Sequence, residues 1–386
     1  MKFYKNVALV ATICFLALAG SSCRKKENRS GDTNQKQPDG KWVSSYRTQA
    51  SLNAGAYLSV FSYNAISLVS RQVIFVAANY PDPNSDLGRA LVVRTTDGGA
   101  SWKELSITGA GDQPGALNGI QFLNPTTGWV VGSDDKGGGV LFHTTDGGET
   151  WSSQKLPVKG VPTSIHFVDS EKGWIVGSNP APGGDEYSQG GPSDILATTD
   201  GGKTWTQAYH LPASMNDITF VDSQNAWTAG VPASIYHTSD GGRTWSSEIT
   251  GLETQEGVTQ LKGAKQKPFN ITSISFGDAV HGWAVAQSSD ADRSVVIGTS
   301  DGGRTWNPVW IAQGQKLRSV HFVNASQGWV ATEDGDYIYR TDDGGRRWNV
   351  EKVEIEQKEP VYRMAGSDPA NLWAVGGGAI FRRVPQ

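Results

Sequence analysis

Thr144-Thr145-Asp146-Gly147-Gly148-Glu149-Thr150-Trp151 decides the fold, because it recurs. Further copies run from Thr95 to Trp102, Thr198 to Trp205, Thr238 to Trp245, Thr299 to Trp306 and Thr341 to Trp348. The third-place acids are Asp97, Asp146, Asp200, Asp240, Asp301 and Asp343. An Asp carboxylate followed by two glycines is the chemistry of a tight turn. The carboxylate accepts backbone N–H groups of its own loop, and glycine supplies positive φ at no steric cost. The leading Thr hydroxyl bonds locally, and the Trp covers the turn. A catalytic acid is not needed six times, so these aspartates are read as structural clamps between two short strands.

Working outward, a second element precedes each copy. An aliphatic residue is followed nine places later by an aromatic: Ile66/Phe75, Ile120/Trp129, Ile165/Trp174, Ile218/Trp227, Ile274/Trp283, Val320/Trp329 and Met364/Trp373. That makes seven units against six octapeptides. Each unit reads as four short strands, A to D, joined by Gly- and Asp-rich turns, with the octapeptide as the C–D turn. Four-stranded units of this length repeated around a ring describe an all-β, single seven-bladed β-propeller of antiparallel blades. The seventh unit stops at Ala379-Ile-Phe-Arg382 without a D strand. Asp39-Gly-Lys-Trp42-Val-Ser-Ser45 resembles the tail of an octapeptide plus a D strand. Residues 41–47 are therefore expected to pair with strand C of blade seven and close the ring, removing exposed edges. Of the 14 tryptophans, only Trp310 then falls outside the scheme.

Composition narrows the function classes. Residues 37–386 hold 27 basic against 36 acidic side chains. An acidic body argues against nucleic acid, which needs a basic footprint. Cys14 and Cys23 both precede the repeats, so the body has no disulfide. No nucleophile elbow, HExxH, P-loop or dinucleotide fingerprint occurs, and the sequence implies no metal and no cofactor. Lys2 and Lys5 followed by the 13-residue apolar run Val7–Ala19 read as an export signal, residues 1–22. Gly20-Ser21-Ser22-Cys23 resembles a bacterial lipobox, which makes Cys23 the lipidation site and anchors the protein in the cell envelope. Ala17-Leu18-Ala19 offers a second cleavage site, which would give a soluble periplasmic or secreted form. Residues 23–40 read as a flexible tether and 41–386 as the propeller.

The octapeptide is the Asp-box, or bacterial neuraminidase repeat, of sialidases, some glucanases and sortilin-type receptors. Combined with the Gly-Trp element it resembles more closely the photosystem II stability/assembly factor family, over essentially all of residues 41–386. The resemblance implies a non-enzymatic protein-binding propeller, with cyanobacterial relatives tethered to membranes as lipoproteins; a monomer is expected. A protein or peptide is thus the expected partner. Carbohydrate is the alternative, through a sialidase- or glucanase-like glycoside hydrolase with Asp217 facing a second acid. The B–C and D–A loops lie on the face opposite the Asp-boxes and carry the long insertions, so binding is expected there. Residues just before strand A ring the channel mouth on that face. Asn118, Asn216, Asp217, Arg318, Tyr362 and Arg363 are the candidate ligand residues.

Overall fold

The computed structural model describes residues 40–47, 62–82, 85–107, 111–158, 160–179, 191–248, 252, 269–288, 293–335, 337–354 and 360–385. Cys23, the export signal and residues 23–39 of the expected tether lie outside the described residues, whereas Gly40 already belongs to a strand.

Consecutive strands pair antiparallel in the order A-B-C-D within each blade. Blades one to six span residues 62–106, 114–155, 161–211, 214–248, 269–313 and 317–354. Blade seven contributes Val361–Asp368, Asn371–Gly376 and Ile380–Pro385. Its fourth strand is Gly40–Tyr46, one residue earlier than the sequence suggested, and it pairs with Ile380–Pro385 as expected. A second pairing was not foreseen. Gly40–Tyr46 also runs parallel to Asn349–Glu354, the D strand of blade six, through Lys41↔Lys352, Trp42↔Val353 and Val43↔Glu354. Blades six and seven therefore form one continuous eight-stranded sheet. Between strands B and C of blade one the long insertion extends the hairpin: strand B runs to Asp82 and strand C starts at Ser85.

The core lies between blades, and the aromatics of the repeat fill it. At five junctions the strand-B aromatic of one blade stacks on the strand-A phenylalanine of the next. The pairs are Phe75–Phe122, Trp129–Phe167, Trp174–Phe220, Trp227–Phe276 and Trp283–Phe322, with centroids 3.5 to 4.1 Å apart. Such pairs contribute about 0.5–1.5 kcal/mol each beyond burial. The strand-B indole also abuts the second glycine of the following Asp-box. A Cβ at Gly303 would sit 2.2 Å from Trp227 Nε1, and this glycine has φ of +83°. Glycine is thus required twice over, by the turn and by the neighbour.

All six Asp-boxes close as predicted. In the second, Thr144 Oγ1 donates to Asp146 Oδ1 at 2.8 Å and accepts Gly148 N–H at 2.9 Å. Asp146 then accepts Thr150 N–H at 2.9 Å and Thr150 Oγ1–H at 2.6 Å. The Thr150 hydroxyl is the main reason this carboxyl falls from 3.8 to about 2. Asp97, Asp200, Asp240 and Asp301 are held at about 2 in the same way by Ser101, Thr204, Thr244 and Thr305. The sixth box has Arg347 at that place, so Asp343 gets only the backbone N–H there, at 2.9 Å. The first glycine of each box also donates its N–H to the A–B turn of its own blade, as Gly147 does to Thr126 O at 2.8 Å. This bond puts the boxes and A–B turns on one face and leaves the channel mouth on the other.

Candidate channel-mouth site

Strand A carries a β-bulge at the same place in all seven blades. The register skips the residue two before the central aliphatic: Asn64, Asn118, Thr163, Asn216, Thr272, Arg318 and Tyr362. A bulge releases one residue from the ladder and re-aims its side chain. Here the seven released side chains ring the mouth.

Five of the seven reach the strand-A backbone of the next blade. Asn64 Nδ2 donates to Leu117 O at 3.0 Å, Asn118 Nδ2 to Pro162 O at 2.9 Å and Asn216 Nδ2 to Ile271 O at 2.8 Å. Thr163 Oγ1 donates to Met215 O at 3.1 Å and Thr272 Oγ1 to Arg318 O at 2.8 Å. The ring thus belts the blades together. The pattern breaks at blades six and seven. Arg318 makes no hydrogen bond with a described residue, and its guanidinium lies 5.7 Å from the Tyr362 ring centroid, a cation–π contact. Burial, and secondarily Arg363, hold the Arg318 guanidinium below its ordinary value. Glu333 is 3.9 Å from Arg318, too far for a hydrogen bond.

Arg363 crosses the channel. From blade seven its Nη1 donates to Thr272 O of blade five at 2.9 Å, and its Nη2 stands 3.9 Å from Asp217 Oδ2 of blade four. It lines two cavities. The mouth, 570 Å³, is bordered by Asn64, Asn118, Asn216, Arg318, Glu333 and Tyr362. The chamber on the Asp-box side, 490 Å³, is bordered by Asp217, Ser164, His166, Thr219 and His321 among others. Of the residues nominated from sequence, Asn118, Asn216, Arg318, Tyr362 and Arg363 therefore meet in the mouth. Asp217 lies beneath it. Two of the nominated residues, Asn118 and Asn216, spend their amide N–H groups on neighbouring blades. Burial depresses both imidazoles, His166 to about 4, so neither carries charge at neutral pH. Among the described residues no group of three or more His, Cys, Asp or Glu side chains could hold a metal ion.

Sequence reasoning missed one buried cluster, at the ring closure. Glu351 is fully buried and takes a bidentate bond from Arg383, Nη2 to Oε1 at 2.8 Å and Nε to Oε2 at 3.0 Å. Its Oε2 also accepts Trp42 Nε1 at 3.0 Å and Trp329 Nε1 at 3.1 Å. The available signal was Gly366, which stands where blades two to six place the strand-A phenylalanine.

Residues 86–159, 149–250 and 253–382 match the family described as photosynthesis system II assembly factor YCF48. No curated protein matches by sequence. Among solved structures, the chain is similar to YCF48 bound to D1 peptide (16% identity, TM-score 0.63, covering 90% of this chain and 97% of that one). It is also similar to YCF48 from Cyanidioschyzon merolae (15% identity, TM-score 0.58, 88% and 97%). A third is the GH74 xyloglucanase from Xanthomonas campestris (11% identity, TM-score 0.58, 88% and 53%). At these identities the likeness to solved structures is one of fold. The family match spans most of the blades, and the chain belongs to the photosynthesis system II assembly factor YCF48 family.

Proposed function

We propose that this chain is a non-enzymatic binding propeller of the bacterial cell envelope whose channel mouth receives a segment of a protein partner. The observation that carries the reading is the break in the bulge ring. Five positions hold the blades together, whereas Arg318 makes no hydrogen bond with a described residue and, beside the Tyr362 ring, presents a cation to a 570 Å³ cavity, with Arg363 at its floor. Arginine and tyrosine are among the side chains most enriched where partners bind tightly. A relative solved with a peptide bound supports a peptide as the occupant.

The envelope part of the reading rests on the lipobox-like Cys23. Gly40 pairs with Pro385 at the end of strand C, hence on the Asp-box side. Gly40, where the described chain enters the propeller, thus lies on the side opposite the mouth.

A photoreactive residue placed at Asn64 in cells should give an adduct with a distinct protein, lost in an Arg318→Ala/Tyr362→Ala background. The same residue at Thr150, on the Asp-box face, should give none. Adducts from Thr150 alone would overturn the choice of face. In the same cells an alkyne fatty-acid probe should label the wild type but not Cys23→Ser; equal labelling would remove the anchor.

A further inference from the structure

Below the bulge ring, strand A carries a second inward ring, one residue past the central aliphatic. Most of its polar members also tie blade to blade. Ser67 Oγ accepts Phe122 N–H at 2.8 Å, and Gln121 Nε2 donates to Phe167 O at 2.9 Å. Ser275 Oγ accepts Phe322 N–H at 3.0 Å, and His321 Nε2 bonds Gly366 O at 3.0 Å.

His166 and Thr219, on adjacent blades three and four, do not follow this rule. Neither side chain makes a hydrogen bond with a described residue, and both border the 490 Å³ chamber. Asp217 lies two residues before Thr219, hence on the same strand face. Its Oδ1 accepts Ser164 Oγ–H at 3.2 Å and Ile218 N–H at 3.1 Å. Its Oδ2 takes no hydrogen bond from a described residue, and Arg363 stays 3.9 Å away. Unused hydrogen-bonding capacity is therefore concentrated on one wall, across the channel from the broken part of the mouth ring.

The wall's charge selects the ligand class. His166 is neutral at pH 7. The Asp217 carboxylate is faced by Arg363. No uncompensated cation is left to attract an anion, and the described side chains do not form a metal cage. What remains is one carboxylate oxygen with free lone pairs, one neutral imidazole that both donates and accepts, and one hydroxyl. A carboxylate accepts well from adjacent hydroxyls, and such bonds to a charged group are the stronger kind. The chamber volume falls within the range of about 300–1,000 Å³ usual for small-molecule sites.

We propose that Asp217, His166 and Thr219 form a binding site for a neutral polyhydroxylated ligand, a monosaccharide or cyclic polyol, on the Asp-box side of Arg363. The site is separate from the mouth and does not depend on the protein-binding reading. The carboxylate Oδ2 takes two neighbouring hydroxyls, and the imidazole and the threonine hydroxyl bond a third and a fourth.

The test follows the imidazole ¹⁵N–¹H resonances of the whole protein during titration with D-glucose, D-mannose and myo-inositol. At least one should shift His166 saturably, and tetrahydropyran, which keeps the ring but lacks the hydroxyls, should not. Thr219→Val should weaken the binding about tenfold, as expected for one lost hydrogen bond, with its melting temperature unchanged, and Asp217→Asn, which removes the acceptor of two hydroxyls, should weaken it more. No saturable shift with any of the three, an equal response to tetrahydropyran, or unchanged affinity in Thr219→Val would each overturn the site. None of these outcomes bears on the adducts formed at Asn64.

Discussion

At the junction of blades five and six, Trp283 stacks on Phe322 and its indole N–H donates to Gly344 O at 3.0 Å. At the junction of blades six and seven neither partner exists, because blade seven has Gly366 in place of the phenylalanine and no Asp-box. There Arg383 lies over Trp329, 5.4 Å from its centroid, and Glu351 accepts the indole N–H. Trp42 has likewise lost the box carbonyl that Trp151, Trp205, Trp245 and Trp306 use, and it turns to the same carboxylate oxygen. The first kind of junction is built from a local repeat and is aromatic at its centre. The second joins three chain segments distant in sequence and is held by a buried ion pair. Repetition serves the five junctions from blade one to blade six and gives way where the chain must find its own beginning.

The largest effect should come from breaking the closure. Glu351→Ala leaves Arg383 buried without its anion and two indoles without an acceptor. It should cost about 3–5 kcal/mol, the range for one partner removed from a buried pair, and be read as a fall in unfolding free energy in denaturant. Glu351→Leu with Arg383→Met should recover part of that loss, because matched apolar groups need no counter-ion, while the Trp42 and Trp329 indoles still lack their acceptor. A double variant as unstable as the single one would show that the charge itself holds the closure.

A repeat junction should respond less. Gly303→Ala forces a non-glycine residue to φ of +83° against Trp227. The left-handed backbone alone costs about 1–2 kcal/mol, and displacement of the indole adds to it. Tryptophan fluorescence should report the moved ring, whereas an unaltered spectrum and stability would mean that the close approach is relieved without effect.

The smallest effect is electrostatic and confined to acid. Asp97, Asp146, Asp200, Asp240 and Asp301 have folded pKa values of about 2 against 3.8 ordinarily. Their contribution is fully present above about pH 4 and is lost as pH falls through about 2. Melting temperature should therefore stay level on this account above pH 4 and decline below it. Thr244→Val removes the main hydroxyl donor to Asp240 and should shrink that acid-dependent part; an identical pH profile would assign the decline to other carboxylates.

The Asp-boxes were legible because everything they need lies within eight residues. The blade count was legible because a nine-residue offset survives even in blade seven, where the box is missing. The mouth was legible only as a location. Asn118 and Arg318 occupy equivalent positions in the repeat, and nothing in either residue says that one ties a neighbouring blade while the other faces the cavity. That distinction depends on which carbonyl lies within reach across the junction.

Glu351 and Arg383 show the same limit more sharply. Each sits in an ordinary alternating strand, 32 residues from the other, and reads as a solvated charge. By itself the sequence determined the repeat, its turns, the number of blades and the identity of the closing strand, because these follow from short-range hydrogen bonding and period-2 patterning. Only the tertiary structure decided that the closing strand also bonds blade six, that Arg363 divides the channel and that Glu351 is buried. Those outcomes depend on distances between segments that the chain brings together only when the ring closes.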